Sequence, residues 1–240
     1  MIEINPLASG SKGNAYHITD GRTPLLLEAG IPYKEIQRGL NYQVVNIAGC
    51  LISHEHKDHC KAVSEMTFKA GVDCYMSQGT IDALGIESHR IKPVEAKEQF
   101  KIGTWTILPF NTEHDAAEPM GFLLANTAGD KLLYATDTFY IRYRFRGLTH
   151  LMIEANYSLD ILRENMAAGL VAPELKNRLL KSHMSLETCK EFLKANDLSR
   201  VQEIWLVHLS DSNSHAARFK QEIQALTGLP TYIAGCAGGI

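Results

Sequence analysis

The chain has 240 residues, 45% of them hydrophobic, with 24 Lys plus Arg against 27 Asp plus Glu. This content supports a substantial folded core, and a pI near 6.4 excludes a protein that is basic over its whole surface. No run approaches the roughly 18 apolar residues of a membrane span, and the first residues lack the features of a signal peptide. We therefore expect a cytoplasmic protein without a membrane partner.

The sequence predicts early strands, one helix, further strands, and then helices with late strands. The predicted strands, in chain order, are residues 24–27, 46–52, 104–110, 131–136 and 203–207. The predicted helices are residues 58–71, 158–168, 173–181, a helix capped by Ser185, and residues 214–227 stopped by Gly228.

The cysteines are scattered along the chain without a Cys-x-x-Cys pair. This arrangement argues against a disulfide framework and against a zinc knuckle, and it indicates reduced, mostly buried thiols. The residues are Cys50, Cys60, Cys74, Cys189 and Cys236.

The most informative segment is Ser53-His54-Glu55-His56-Lys57-Asp58-His59, which follows the predicted strand 46–52. Imidazole nitrogens and a carboxylate oxygen suit a borderline cation such as Zn²⁺, and so many of them in one short loop have little packing use. Loops at strand ends are common places for functional residues on a rigid scaffold. The segment therefore predicts a metal site.

One loop supplies only part of a coordination sphere, so further ligands are expected at other strand ends. Three later predicted strands lead to a His or an Asp: His114 follows residues 104–110, Asp137 follows residues 131–136, and His208 follows residues 203–207. Each of them alone is typical of a solvated turn. Their occurrence in this order after the histidine-rich segment favours ligands.

With these features the chain resembles the metallo-β-lactamase superfamily, whose hallmark is His-x-His-x-Asp-His followed by a His, a bridging Asp and a final His. It is most similar to the YycJ-like branch, which comprises small hydrolases related to nucleases. The resemblance implies an α/β fold, the four-layer αββα sandwich, as a single domain over residues 1–240. The blocks that carry the branch resemblance are residues 7–14 (LASGSKGN), 135–138 (ATDT), 153–157 (IEANY), 182–185 (SHMS) and 208–213 (HLSDSN).

The resemblance also implies a dinuclear centre with two divalent ions, Zn²⁺ in the first place and Mn²⁺ as the alternative. Two such ions roughly 3.5–4 Å apart share a hydroxide that acts as the nucleophile, a geometry that suits attack on phosphorus. Asp58 counts among the catalytic residues as well as among the ligands. The implied assignments are His54, His56 and His114 for one ion, Asp58, His59 and His208 for the other, and Asp137 as the bridge.

Two positions depart from the family pattern. Glu28 stands where the family usually has an Asp that orients a ligand through a hydrogen bond, and its longer side chain is expected to change metal affinity or preference. Ala62 stands where a Gly is frequent, a change that concerns helix packing.

Other residues are candidates for contacts with the substrate. The small turn at residues 9–14 offers amides and hydroxyls to a phosphate oxygen or forms a plain hairpin turn. Residues 140–146, if extended, place three arginines on one face, either to follow a phosphate backbone or as a solvated or subunit-contacting face. The substrate contacts expected from the block resemblance are Ser9, Ser11, Asn14 and Asn213.

His183 lies on a short polar connection between two predicted helices and is not needed to complete the metal sets. In nuclease branches of the superfamily, a histidine in a similar block stands beside the scissile group. We therefore assign it a catalytic role, holding a phosphate oxygen or protonating the leaving oxygen. The alternative is a histidine that only caps or solvates the helix connection.

The sequence thus favours a metal-dependent phosphodiesterase or nuclease acting on a nucleic acid or nucleotide phosphodiester, because Asp137 is a bridge typical of those branches. A cyclic nucleotide or another small phosphodiester stays open, since the net charge of −3 shows no overall basic footprint. A thioester or lactone hydrolase and a non-catalytic binding protein are the remaining alternatives.

Overall fold

Two units make up the chain in the computed structural model, which describes residues 1–235. The first comprises Met1–Asn111 and Ala116–Asp130, and the second comprises Thr112–Asp115 and Lys131–Ile240. Cys236 lies outside the described residues. The expectation of one domain over residues 1–240 stays a prediction.

The first unit contains a six-stranded mixed sheet. Its first three strands pair antiparallel and the remaining pairs are parallel. Because parallel neighbours need a crossover, helices alternate with strands from β3 onward. In order across the sheet the strands are β1 (Glu3–Ala8), β2 (Ala15–Thr19), β3 (Leu25–Leu27), β4 (Gly49–Leu51), β5 (Cys74–Met76) and β6 (Ile91–Pro93).

The helices of the first unit bury their apolar side chains in one core with the strands. Ile36, Val63 and Met66 are fully buried there, in the same cluster as Leu26 and Ile52. The helices are α1 (Tyr33–Gly39), α2 (Lys57–Cys60), α3 (Val63–Phe68) and α4 (Gln78–Leu84). Three further strands pair antiparallel in this unit: β7 (Phe100–Ile102), β8 (Trp105–Asn111) and β9 (Met120–Asn126).

The second unit contains four parallel strands in the order β10 (Lys131–Ala135), β11 (His150–Glu154), β12 (Glu203–Val207) and β13 (Thr231–Ile233). β10 and β12 have mostly buried residues and β11 has only buried ones, as expected for parallel strands covered on both faces. Ala135 pairs with Ile153, and Ile153 pairs with Leu206, so three strands end level with one another. The helices are α5 (Leu159–Ala167), α6 (Pro173–Ser182), α7 (Leu186–Ala195) and α8 (Ala216–Thr227).

The predicted helices of the second unit are confirmed, with ends within two residues of those predicted. Ser185 caps α7 by accepting a hydrogen bond from the Thr188 N–H, and Gly228 ends α8 in the left-handed conformation. Within the described residues, no helix is both long and apolar enough to cross a membrane.

The prediction of one continuous helix over residues 58–71 is wrong. Two short helices, α2 and α3, occupy this stretch because the Ala62 N–H donates to the Ala29 carbonyl, 2.8 Å away, instead of to the preceding turn. Residues 140–146 are not part of any strand of the described chain, although their alternation of buried and exposed residues follows the predicted pattern.

Candidate metal centre

Strand ends position three site residues of the second unit. Glu154 is the last residue of β11, His208 directly follows β12, and Asp137 lies two residues after β10. Because these parallel strands end level, the three side chains converge at one edge of the sheet. His208 Nδ1 lies 2.9 Å from Asp137 Oδ1 and 3.1 Å from Glu154 Oε1.

Three of the predicted site residues adopt the left-handed backbone conformation that non-glycine residues rarely occupy. The φ angles are 63° at Glu28, 43° at Asp137 and 52° at His208. Each residue lies at or just after the end of a strand, where the turn directs the side chain out of the sheet edge. Such conformations cost of order 1–3 kcal/mol each and concentrate at functional sites.

In the first unit, the histidine-rich segment follows β4 and runs into α2. His54 Nε2 lies 3.1 Å from His56 Nδ1, and the rings of His54 and His59 are 4.2 Å apart between centroids. Asp58 Oδ2 lies 3.3 Å from His59 Nε2. The structure therefore brings together the four residues predicted from this segment.

Glu28 is fully buried next to the histidine-rich segment. Its Oε2 accepts a hydrogen bond from the Ser53 N–H and lies 3.6 Å from His59 Nδ1. On the other side of the ring, the Asn14 amide lies 3.2 Å from His59 Nε2. A carboxylate therefore lies near each ring nitrogen of His59, with Glu28 facing Nδ1 and Asp58 facing Nε2. The orienting role of Glu28 stays a prediction.

His114 is oriented in the second unit by the chain that leads to His183. Its Nδ1–H donates to the Ser182 carbonyl over 2.7 Å, which leaves the lone pair on Nε2, 3.5 Å from Asp137 Oδ2. Burial lowers the pKa of His114, against the opposing charge of Asp137. The neutral imidazole that a metal ion requires is therefore favoured.

His183 forms a close pair with Glu154. Its Nδ1–H donates to Glu154 Oε1 over 2.7 Å, and the same nitrogen lies 3.9 Å from Asp137 Oδ1. Burial lowers the pKa of His183, but the charge of Glu154 outweighs it, so the pKa is raised. Burial raises the pKa of Glu154, but the charge of His183 and hydrogen bonds outweigh it, so the pKa is lowered. The pair therefore favours an imidazolium beside a carboxylate.

Sequence reasoning did not assign a role to Glu154, although the residue lies in the IEANY block. Its two oxygens accept hydrogen bonds from the N–H groups of Thr138 and Met184 as well as from the two imidazoles. A charged residue ending an otherwise apolar strand is the sequence signal that points to it. Asn156, two residues on, donates to the His208 carbonyl over 2.8 Å.

Of the four predicted substrate contacts, Ser11 is exposed and the other three have hydrogen-bond partners within the protein. The Ser9 hydroxyl lies 2.8 Å from the Tyr16 hydroxyl. Asn14 is buried and its amide donates to the carbonyls of Gly10 and Asp58, while Asn213 is buried and accepts a hydrogen bond from Asn165. The amide groups of Asn14 and Asn213 thus organise loops, and a role in substrate binding stays a prediction.

The four cysteines in the described residues are free thiols and buried. Burial raises the pKa of Cys60 and of Cys189 to about 12. These thiols are therefore protonated at neutral pH, in keeping with the reduced, buried state predicted for them.

Two clusters have donor atoms that fit a divalent cation: the histidine-rich segment in the first unit, and Asp137, Glu154, His183 and His208 in the second unit. In the second unit, one imidazole nitrogen of His208 faces the carboxylates of Asp137 and Glu154 together, and a cation relieves the repulsion between two buried carboxylates. Ligand atoms of these three residues and of His183 all lie within 4.8 Å of one another. The histidine-rich segment supplies the imidazole nitrogens and carboxylate that Zn²⁺ and Mn²⁺ accept.

Comparisons with known proteins show what this chain is similar to. A family model described as a beta-lactamase superfamily domain matches residues 29–209. The exodeoxyribonuclease WalJ of Streptococcus pneumoniae serotype 2 (strain D39 / NCTC 7466) is 30% identical over 244 aligned residues, which cover 93% of this chain and 89% of the relative. The exodeoxyribonuclease YycJ of Bacillus anthracis is 27% identical, with 89% and 84% covered. The crystal structure of Zn²⁺-bound PqqB from Methylobacterium extorquens matches with a TM-score of 0.71 at 13% identity, over 98% of this chain and 97% of that one.

Proposed function

Because the chain belongs to the metallo-β-lactamase superfamily, in its YycJ-like branch, we propose that it is a dinuclear exodeoxyribonuclease. The family and the α/β metallo-β-lactamase fold predicted from the sequence are confirmed, and the chain is a metal-dependent hydrolase of the nuclease and phosphodiesterase type. The names of the two relatives support DNA as the substrate and removal of nucleotides from an end as the mode of attack.

The proposed centre holds two divalent ions. Family membership and the donor chemistry of the two clusters support this arrangement. Bound there, the ions supply a nucleophile generated from water at neutral pH and positive charge beside the attacked phosphorus. The proposed ligands are His54, His56 and His114 for one ion, Asp58, His59 and His208 for the other, and Asp137 for both.

The observation that carries phosphodiester chemistry is the pair of His183 and Glu154 beside Asp137. Cleavage of a phosphodiester expels an alkoxide, which needs a proton from a positioned acid. Glu154 holds the His183 imidazole through Nδ1 and favours its charged form, so that Nε2–H is the atom that donates to the leaving oxygen. An acyl ester with a good leaving group has less need of such an acid.

A substrate panel joined to metal analysis tests the proposal. The protein is assayed on bis-p-nitrophenyl phosphate, end-labelled DNA and RNA, cyclic nucleotides and a p-nitrophenyl acyl ester, while its metal content is measured by mass spectrometry. We expect two ions per chain and release of mononucleotides from DNA ends. Hydrolysis of the acyl ester with no cleavage of any phosphodiester would show that the proposed reaction class is wrong.

Asp137→Asn tests the dinuclear assignment, because Asn tolerates the left-handed backbone at this position and removes only the negative charge. We expect loss of at least one ion and a fall in turnover of more than about 100-fold, since even residues that orient a ligand contribute about 10–100-fold. Asp82→Asn, an exposed position in α4, is the matched control. Full metal content and full activity in Asp137→Asn would contradict the two-metal assignment.

A further inference from the structure

An exposed aromatic pair follows Asp137, and neither metal binding nor proton transfer uses it. Phe139 is 39% exposed and Tyr140 is 53% exposed. Among the large exposed hydrophobic residues of the described chain, they are the only two aromatic neighbours in sequence. Exposed aromatic surface beside a functional centre marks an interaction site, because burying such rings on a partner recovers a large apolar contribution.

We propose that the rings of Phe139 and Tyr140 form a stacking surface for unpaired nucleobases at the end of the DNA strand being degraded. This inference rests on the proposed function for the identity of the substrate. Every base has a flat π face, so aromatic stacking binds a strand without regard to its sequence, which is what an exonuclease requires. Asp137 lies two residues before Phe139, so a base stacked there belongs to a nucleotide close to the phosphate that is cleaved.

Hydrogen bonds of Thr138 and Glu113 fix the backbone that carries the two rings. The Thr138 N–H donates to Glu154 Oε2 over 2.9 Å, and the Thr138 hydroxyl donates to the Tyr140 carbonyl over 2.8 Å. The Phe139 N–H donates to the Glu113 carbonyl over 3.2 Å. Because the backbone is already ordered, stacking of a base requires little further loss of conformational entropy.

The segment is also anchored on its far side. Ile141 and Phe145 are buried, and the Phe145 N–H donates to Asn196 Oδ1 over 2.9 Å. The two rings are therefore exposed although the segment that carries them is anchored to the rest of the second unit. Ile141 and Phe145 thus face the core, whereas Phe139 and Tyr140 are exposed.

Positive charge accompanies the rings. Arg142 and Arg144 are exposed on the same segment, and Arg142 Nε lies 2.6 Å from Glu113 Oε1, which orients its guanidinium. Aromatic rings with neighbouring arginines are the combination that binds single-stranded nucleic acid, since the rings take the bases and the cations take the phosphates. A short surface of this kind is compatible with a net charge of −3, because only the end of a strand has to be held.

Two changes test the inference independently: removal of bases from the DNA, and replacement of Phe139 and Tyr140 by Ala in the protein. Fluorescence anisotropy measures the Kd of a labelled single-stranded oligonucleotide with phosphorothioate linkages, either intact or with abasic sites at the last two positions. For the wild type we expect binding to weaken about 5- to 150-fold on the abasic strand, the equivalent of 1–3 kcal/mol for a stacked base. Phe139→Ala/Tyr140→Ala should bind the intact strand with the weakened Kd and should not distinguish the two strands.

The controls separate stacking from folding and from catalysis. Phe139→Tyr and Tyr140→Phe keep the rings and should keep the wild-type Kd, whereas Tyr42→Ala removes an exposed ring of the first unit and should have no effect. The metal content of the double Ala variant should match the wild type, because neither ring is among the proposed ligands, so a weaker Kd would not reflect a damaged catalytic centre.

Two results would overturn the inference. One is a wild-type Kd that is the same for intact and abasic strands, and the other is a double Ala variant that still distinguishes them. Tight binding of a protein partner that is lost in the double variant, without any base-dependent DNA binding, would assign the surface to that partner instead. Since binding is measured on a strand that resists cleavage, the outcome does not depend on whether the wild type hydrolyses any phosphodiester.

Discussion

A single buried carboxylate, Glu154, orients two imidazoles in the second unit. One of its oxygens faces His183 and His208, and the other accepts the N–H groups of Thr138 and Met184. The carboxylate is buried, so its charge is little screened and acts strongly on both rings. It thus acts as a positioning residue, and His183 is the residue that touches the substrate in the proposed reaction.

Replacement of His183 or Glu154 should show whether turnover depends on protonation of the leaving group. We expect His183→Ala to keep both ions and the fold while turnover of DNA falls on the order of 10²–10⁴-fold, the usual contribution of general acid catalysis. Glu154→Gln keeps an oxygen acceptor for the two backbone N–H groups and loses the charge, so a smaller loss in the same direction is expected.

The measurement compares the turnover of two substrates whose leaving groups differ in their need for a proton. A p-nitrophenolate needs little protonation, so both losses should shrink on bis-p-nitrophenyl phosphate relative to DNA. An equal loss on both substrates would indicate a structural role, and DNA cleavage by metal-replete His183→Ala at the wild-type rate would remove the residue from the mechanism.

Sequence reasoning identified the candidate ligands of the histidine-rich segment because they are neighbours in the sequence, and it missed Glu154 because the partners of Glu154 are distant in the sequence. Four donors lie within residues 54–59 and are visible as a motif. The two imidazoles that face Glu154 are 29 and 54 residues away in the chain. The level ends of β11 and β12 bring His208 to Glu154, and the end of α6 brings His183.

At the scale of elements, a close contact between backbones places the short helix α2. A Cβ built on Gly30 would lie 1.7 Å from the Asp58 carbonyl oxygen. In the same loop, the Ala29 N–H donates to the His59 carbonyl, and from the loop between β1 and β2 the Asn14 N–H donates to the Asp58 carbonyl, each over 2.8 Å. The Ala29 carbonyl in turn accepts the Ala62 N–H, which breaks the helix between α2 and α3. The helical period of the sequence carries no sign of this distant backbone acceptor.

Gly30→Ala should therefore displace the segment that carries Asp58 and His59. We expect a loss of stability of about 1–3 kcal/mol, as for overpacking, and a metal Kd raised by at least about tenfold, because ligand geometry is disturbed. Urea unfolding of the metal-free protein and metal titration measure the two effects. Gly39→Ala is the matched control, since its Cβ would meet only the flexible side chain of Leu7. Unchanged metal affinity in Gly30→Ala would show that the contact does not position the ligands.

At the scale of the whole molecule, metal binding and folding should be linked. The proposed ligands include residues that are almost fully buried, such as His54, His59 and Asp137. Their burial without a cation opposes folding, because these polar side chains lose water and the grouped carboxylates repel one another. The unfolded chain holds no preformed site, so the free energy of metal binding adds to the free energy of folding.

Removal of the ions should therefore lower the melting temperature. An ion present at 100 times its Kd contributes about 2.7 kcal/mol to the free energy of unfolding. For a chain of this length, 1 kcal/mol corresponds to about 2–4 °C, so chelation should lower the Tm by about 5–11 °C for each ion lost. Calorimetry of the chelated protein titrated with Zn²⁺ or Mn²⁺ measures the shift, and Asp137→Asn, which lacks the proposed bridge, should recover only a part of it. If Asp137→Asn recovered the full shift at the same ion concentrations, the stabilising ions would have to bind outside the proposed centre.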